Sequence, residues 1–389
     1  MSQIPALAQL PPGIVTLADH EAHARTRLEA ATWAYLSGGA ADEITLRANC
    51  DAWDRLQLLP RVLQPLAGGH TRVQLLGRTL AHPMLLAPVA YHRLAHADGE
   101  LATAHAAAAQ QAGLVLSTQA STQLEDVAQA IRHEPDRGPL WFQLYLQADR
   151  GFTRELVQRA ETAGYEALVL TVDAPVSGAR DRERRAGFRL PPGVRAVNLD
   201  GLSRSAPVRN GAATLCDGLL QHAPSWDDVA WLQAQTRLPI LLKGVLHPDD
   251  ARQAATLKIA GLVVSNHGGR TLDTTPATAA VLPRLAEAVQ GTLPLLVDGG
   301  IRRGTDVLKA VALGASAVMI GRPYLWGLAN AGALGVAHVL RLLRDELEMA
   351  MALCGCRTLG HATPALFWTG SPQRTEHTSA PSIANNSHL

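Results

Sequence analysis

The chain has 389 residues, with 35 Lys plus Arg against 34 Asp plus Glu and a formal net charge of +1, so it carries no general basic field for nucleic acid or an anionic membrane. Hydrophobic residues make up 47% and charged residues 18%, which provides for a large buried core; the length suits one large barrel or two ordinary domains. The four cysteines, Cys50, Cys216, Cys354 and Cys356, form no Cys-x-x-Cys pair and argue against structural zinc or a disulfide scaffold.

Met1 to Leu17 lacks the charged start and continuous apolar core of a secretion signal, and no segment approaches about 18 uninterrupted apolar residues. A soluble, cytoplasmic protein is therefore expected. The last three residues, Ser387-His388-Leu389, loosely resemble a peroxisomal address, which has meaning only in a eukaryote. Residues 17–60 read as a helical segment, broken at Ser37-Gly38-Gly39, that covers the lower end or the rim of the fold built by the later residues.

From Pro83 onward, short apolar runs alternate with stretches of helical period, the pattern of a parallel α/β fold. The predicted strands are Pro83 to Ala87, Gly113 to Leu116, Leu140 to Leu144, Ala167 to Val172, Pro239 to Leu242, Gly261 to Val264, Pro294 to Val297 and Ala317 to Ile320. Eight such strands close a (β/α)8 TIM barrel, here over residues 83–356. Between them, helices are predicted over Glu100 to Ala112, Thr153 to Ala163, Pro248 to Leu257 and Gly304 to Leu313, with Gly stops and acidic first turns where the signals belong. About 65 residues separate the fourth and fifth strands, and a connection that long reads as a lid; its Gly/Ser-rich middle, 199–218, has too little apolar surface to pack alone. Residues 1–370 are expected to form a single barrel domain and 371–389 a mobile tail.

In such barrels catalytic groups sit at the C-terminal ends of the strands. The first end gives Pro88, Val89 and Ala90, the second Ser117, the third Gln143 and Tyr145, and the fourth Thr171 and Asp173. The fifth gives Lys243 and the sixth Ser265 and His267, with Arg270 three residues on. The seventh gives Asp298, Gly299, Gly300, Ile301 and Arg302, and the eighth Gly321 and Arg322. This ring of convergent polar groups around an apolar core suits a large polar ligand. His267 and Arg270, on a Gly-rich turn, pair a proton acceptor with an anion clamp, which is what oxidation of a 2-hydroxy acid requires. Backbone N–H groups and guanidiniums at the last two ends suit a phosphate, so a phosphorylated cofactor is predicted there.

The collinear set Ser265 to Asp273, Asp298 to Asp306, Phe142-Gln143-Leu144-Tyr145, Leu170-Thr171-Val172-Asp173 and Leu241-Leu242-Lys243-Gly244 resembles the FMN-dependent 2-hydroxy acid oxidases and dehydrogenases, from about Leu36 to Cys356. The resemblance implies FMN as cofactor and His267 as base, with Asp173 stabilising its imidazolium. It implies that Arg180 and Arg270 bind the substrate carboxylate, that Tyr35 and Tyr145 offer hydroxyls, and that Lys243 lies by the flavin N1/O2 edge. Pro88, Val89, Ala90, Ser117, Gln143, Thr171 and Ser265 would hold the ring and ribityl groups; Asp298, Gly299, Gly300, Ile301, Arg302, Gly321 and Arg322 would hold the ribityl chain and phosphate. A homotetramer is the family expectation.

Two departures bear on substrate. Gln119 stands where glycolate-type relatives place a tryptophan, and Tyr91 follows Ala90 in a variant resembling mandelate-type oxidases. A lactate- or mandelate-type acid is thus expected in preference to glycolate. The stretch 199–218 has neither an apolar nor a basic anchor, which favours dioxygen over a membrane quinone as acceptor; a dehydrogenase with a quinone or other acceptor is the alternative.

Overall fold

The computed structural model describes residues 9–202 and 223–369. The tail expected over 371–389 and most of the loop expected over 199–218 lie outside the described residues.

Three helices lead in: α1 (Leu17–Arg27), α2 (Ala30–Ser37) and α3 (Ile44–Arg55). Thr16 and Asp19 form a reciprocal capping box on α1, and α2 stops at the predicted Gly38, while a second break at Leu28-Glu29 was not predicted. Next comes a hairpin that the sequence reading missed, β1 (Val73–Leu75) with β2 (Arg78–Leu80), turned by Leu76-Gly77.

Eight parallel strands then close a barrel: β3 (Met84–Leu86), β4 (Gly113–Ser117), β5 (Leu140–Leu144), β6 (Ala167–Thr171), β7 (Ile240–Val245), β8 (Gly261–Val264), β9 (Leu295–Val297) and β10 (Ala317–Ile320). All eight fall on the predicted runs. The connecting helices are α4 (Gly99–Ala109), α5 (Leu124–Ala130), α6 (Arg150–Ala163), α7 (Asp181–Arg185), α8 (Trp226–Gln233), α9 (Pro248–Thr256), α10 (Thr278–Val289), α11 (Gly304–Ala312) and α12 (Arg322–Leu353). The last bends at Ala331 and Gly332. Predicted helix ends shift by up to three residues: Glu100 to Ala112 is observed as α4, which ends at Ala109, and Thr153 to Ala163 as α6, which starts at Arg150, where Asp149 caps it.

Alternate strand residues face inward, and Leu85, Val115, Trp141, Val169, Leu241, Val263, Leu296 and Met319 fill the barrel. Leu75 and Leu80 of the hairpin join this interior cluster, and Arg78 pairs with Glu166 at 2.6 Å just before β6. The hairpin therefore plugs the lower end. The lead-in helices take the upper rim instead: Trp53 Nε1 donates to Gly299 O at 2.8 Å, and Asn49 and Asn266 exchange amide hydrogen bonds at 2.8 and 2.9 Å.

One correction concerns Lys243. It lies within β7, which runs to Val245 with an irregularity at Gly244, rather than just after the strand. Gly244 has φ +110, and a Cβ there would overlap the Asp173 side chain. Only glycine lets β7 continue while Asp173 stands against it.

Candidate active site

A cavity of about 1050 Å³, counting its open mouth, lies at the upper end of the barrel. Its wall includes His267, Tyr145, Lys243, Tyr35, Arg180 and Arg270, with Pro88, Val89, Ala90, Ser117, Gln143 and Thr171. Asp298, Gly299, Gly300, Ile301, Arg302, Gly321 and Arg322 complete it. Asp173 and Ser265, the remaining predicted site residues, stand one layer behind: Asp173 holds His267, and Ser265 holds Lys243. Gly268 of the predicted Gly-rich turn also lines the cavity, as do Leu36, Ala87, Met319 and Leu325, which the sequence reading did not single out.

His267 follows β8 with φ +57, a left-handed conformation that a bulky residue adopts only under constraint. Its backbone N–H donates to Ser265 Oγ at 3.0 Å, and its Nδ1 lies 2.8 Å from Asp173 Oδ1. With Nδ1 engaged, Nε2 is the nitrogen left to exchange a proton in the cavity. Burial and the nearby Lys243 charge pull the His267 imidazole below its usual value, against the opposing pull of Asp173. Burial pushes the Asp173 carboxyl up, but the His267 hydrogen bond and the Lys243 charge outweigh it, so the group stays an anion.

Lys243 is buried; its Nζ lies 3.2 Å from Asp298 Oδ2 and donates to Ser265 Oγ at 2.9 Å. Burial pulls it down, but Asp298 and Asp173 outweigh that and hold it above its ordinary value. Across the neighbouring strand ends, Gln143 Oε1 accepts from Ser117 Oγ at 3.3 Å and Thr118 N at 3.1 Å, while Gln143 Nε2 donates to Thr171 Oγ1 at 3.0 Å. The amide is thereby oriented before any ligand arrives.

The part of the cavity that gathers Arg180, Arg270 and Tyr35 is built by the lead-in helices and the segment after β6. Arg270 Nη1 donates to Tyr35 O at 2.7 Å and Gly38 O at 2.8 Å, and its guanidinium stands 5.2 Å from the Tyr35 ring centre. Gly178 packs so tightly that a Cβ would overlap the Arg270 and Thr271 carbonyl oxygens, which brings Arg180 beside Arg270. Phe188 stacks on Tyr35 at 4.4 Å between ring centres, and burial lifts the Tyr35 hydroxyl to about 12, keeping it a hydrogen-bond donor. Glu43, which the sequence reading missed, accepts from Gly39 N at 2.8 Å and pairs with Arg182, tying α7 to the break after α2. Gln119 lines the cavity. Tyr91 does not, although its ring lies 6.3 Å from that of Tyr35.

Beside Arg270, and sharing its Gly38 acceptor, Arg322 donates from Nη1 to Gly268 O at 3.0 Å and from Nη2 to Gly38 O at 2.8 Å. Burial, with Arg270 and Arg302 nearby, pulls its guanidinium down to about 9. Its Nε is buried without a hydrogen-bond partner among the described residues, as are Asp298 Oδ1 and Asp173 Oδ2. Buried cations crowded together at the start of α12, with donors to spare, fit a multiply charged anion such as a phosphate.

Barrel, phosphate-fitting cations and an Asp-held histidine together define a barrel oxidoreductase that takes a phosphorylated cofactor. Residues 24–369 match the FMN-dependent dehydrogenase family, and the chain belongs to it. FMN is accordingly its cofactor. The chain is 50% identical to an L-lactate oxidase of Roseobacter sp. (strain GAI101), over 91% of this chain and 94% of the relative. It is 42% identical to 2-hydroxyacid oxidase 1 of Homo sapiens, over 90% and 95%. A crystal structure of mandelate oxidase with (S)-2-phenylpropionate superposes with a TM-score of 0.81 at 44% identity, covering 90% of this chain and 96% of that one. No helix among the described residues is long and apolar enough to cross a membrane.

Proposed function

We propose that the protein oxidises an L-2-hydroxy acid to the 2-oxo acid with dioxygen as acceptor, releasing hydrogen peroxide. The observation that carries this reading is the His267–Asp173 pair with Arg180 and Arg270 in one cavity that Arg302 and Arg322 also line. The oxidase names of the relatives support the acceptor.

Arg180 and Arg270 hold the carboxylate, and Tyr35 and Tyr145 donate hydroxyls to the carboxylate and the reacting oxygen. His267 takes the proton released from the substrate, and Asp173 stabilises the imidazolium that results. Bound FMN would supply the two-electron redox chemistry between the α-carbon and dioxygen, for an overall reaction in which RCH(OH)COO⁻ and O₂ give RCOCOO⁻ and H₂O₂. Lys243 would supply positive charge to the ring, and Ser117, Gln143, Thr171 and Ser265 with the backbone of Pro88, Val89 and Ala90 would hold it. Asp298, Gly299, Gly300, Ile301, Arg302, Gly321 and Arg322 hold the ribityl chain and phosphate.

Gln119 in the cavity wall favours a lactate- or mandelate-type acid over glycolate, because an amide leaves room that a tryptophan would fill. The test is anaerobic mixing of the holoprotein with glycolate, L-lactate and L-mandelate, followed by air. Bleaching of the flavin band by lactate or mandelate, with rapid recovery in air, is expected. Preference for glycolate overturns the substrate assignment; bleaching without recovery overturns the acceptor.

Gly178 carries a related prediction. Glycine→alanine at this position pushes the Arg180 segment off the Arg270 loop, so KM for the preferred acid is expected to rise about 10-fold, with flavin content unchanged. An unchanged KM would show that the close approach does not set the spacing of the two arginines.

A further inference from the structure

We infer that Glu183 is a positioning residue that acts through Arg180, sharing that guanidinium with the substrate carboxylate and so weakening the clamp enough for the 2-oxo acid to leave. The inference rests on the assignment of Arg180 as a carboxylate-binding group.

Arg180 precedes α7 and Glu183 lies within it, three residues on. Glu183 Oε2 stands 3.6 Å from Arg180 Nη1, close enough for charge attraction but beyond a good hydrogen bond. Both groups have capacity to spare: Arg180 Nε and Glu183 Oε2 are buried without a hydrogen-bond partner among the described residues. Arg180 lines the cavity, so a carboxylate there meets a guanidinium held but not saturated.

The turn that carries Glu183 is fixed in place by its surroundings. Glu183 O accepts from Phe188 N at 3.2 Å, and Phe188 stacks on Tyr35. Arg182, on the same turn, pairs with Glu43 and donates to Ser37 Oγ at 3.1 Å. The turn is thus pinned to α2 at the cavity mouth and cannot carry the acid away when substrate binds.

Two arginines facing one carboxylate, with no acid beside them, would bind product as firmly as substrate. Both ligands carry the same carboxylate, so firmer binding of that group adds no transition-state stabilisation and slows release. An anion fixed beside one arginine lowers this uniform affinity without removing the clamp.

The test uses holoenzyme carrying Glu183→Gln, which keeps size and an acceptor oxygen but removes the charge. Oxalate affinity is read from the flavin absorbance change, beside KM and kcat on the preferred acid. The oxalate Kd and KM are expected to fall together about 3- to 10-fold, the size of one partly screened charge, with kcat no higher than in the parent. In an Arg180→Met background the same substitution should leave the oxalate Kd unchanged, because the effect runs through Arg180. A rise in Kd, no change, or an equal fall in the Arg180→Met background overturns the inference. If E183Q loses FMN, Glu183→Asp provides the same comparison, with a smaller fall expected and the same contrary results. A parent enzyme that neither binds oxalate nor turns over any 2-hydroxy acid takes the proposed function down as well; a parent that does both leaves it standing whatever E183Q shows.

Discussion

Replacing His267 by Asn lowers kcat/KM by about 10³- to 10⁴-fold, at the upper end of what a positioned general base contributes, while the oxalate Kd changes by less than about 3-fold. The two halves of this result separate proton transfer from anion binding, which the proposed function gives to different groups: the imidazole is held by Asp173 at 2.8 Å, whereas the guanidiniums come from the segment after β6 and the turn after β8. A loss of oxalate binding equal to the loss of rate would make His267 a binding group. The pH profile sharpens the test. His267 must be neutral to accept a proton, and burial with the Lys243 charge depresses its value, so the acidic limb of kcat/KM is expected below the ordinary histidine value of 6.5. In Asp173→Asn the upward pull of the carboxylate is gone. The limb therefore moves to still lower pH while the plateau falls about 10²- to 10⁴-fold, since the imidazolium formed in the reaction loses its partner. A limb that moved upward would contradict the stated balance of charges.

The barrel was legible because each strand is a short run buried on both faces and, after the first, closed by a polar or glycine end, and a continuous apolar run is the simplest pattern a sequence can show. Asp298 to Arg302 and Ser265 to Arg270 were readable for a related reason: the residues that converge in space are adjacent in sequence. Glu43 and Gly178 lacked that advantage. Each matters through a partner far along the chain, Arg182 for the first and the Arg270 loop for the second, and nothing local distinguishes a glutamate before a helix from an ordinary helix-start acid. The hairpin at 73–80 escaped for another reason. Its strands are three residues each, too short for alternation to register, and only Leu75 and Leu80 against the barrel interior explain its position. Lys243 ends an apolar run, so by pattern alone it reads as lying just past its strand. The strand continues because Asp298, Asp173 and Ser265 compensate the buried charge.

Replacing Arg322 by Met is expected to strip the protein of FMN. Its donor nitrogens divide unequally: Nη1 and Nη2 are committed to the carbonyls of Gly268 and Gly38, while Nε is buried and unpartnered among the described residues. A guanidinium pulled down to about 9 by burial and by Arg270 and Arg302 is still a cation at neutral pH, and a dianionic phosphate against it relieves the repulsion among the cations. Removing the charge should raise the FMN Kd at least about 100-fold, or about 2.7 kcal/mol, measured by reconstitution of the stripped protein. Riboflavin distinguishes this from general damage, because it carries the same ring and ribityl chain without the phosphate. Its weaker binding should be unchanged by Arg322→Met, and Arg322→Lys should fall between parent and Met for FMN, since a point charge replaces a fork. Equal weakening of riboflavin and FMN would place Arg322 with the frame of the cavity, through its bonds to Gly268 and Gly38, and would move the phosphate toward Arg302 and the Gly299-Gly300 turn.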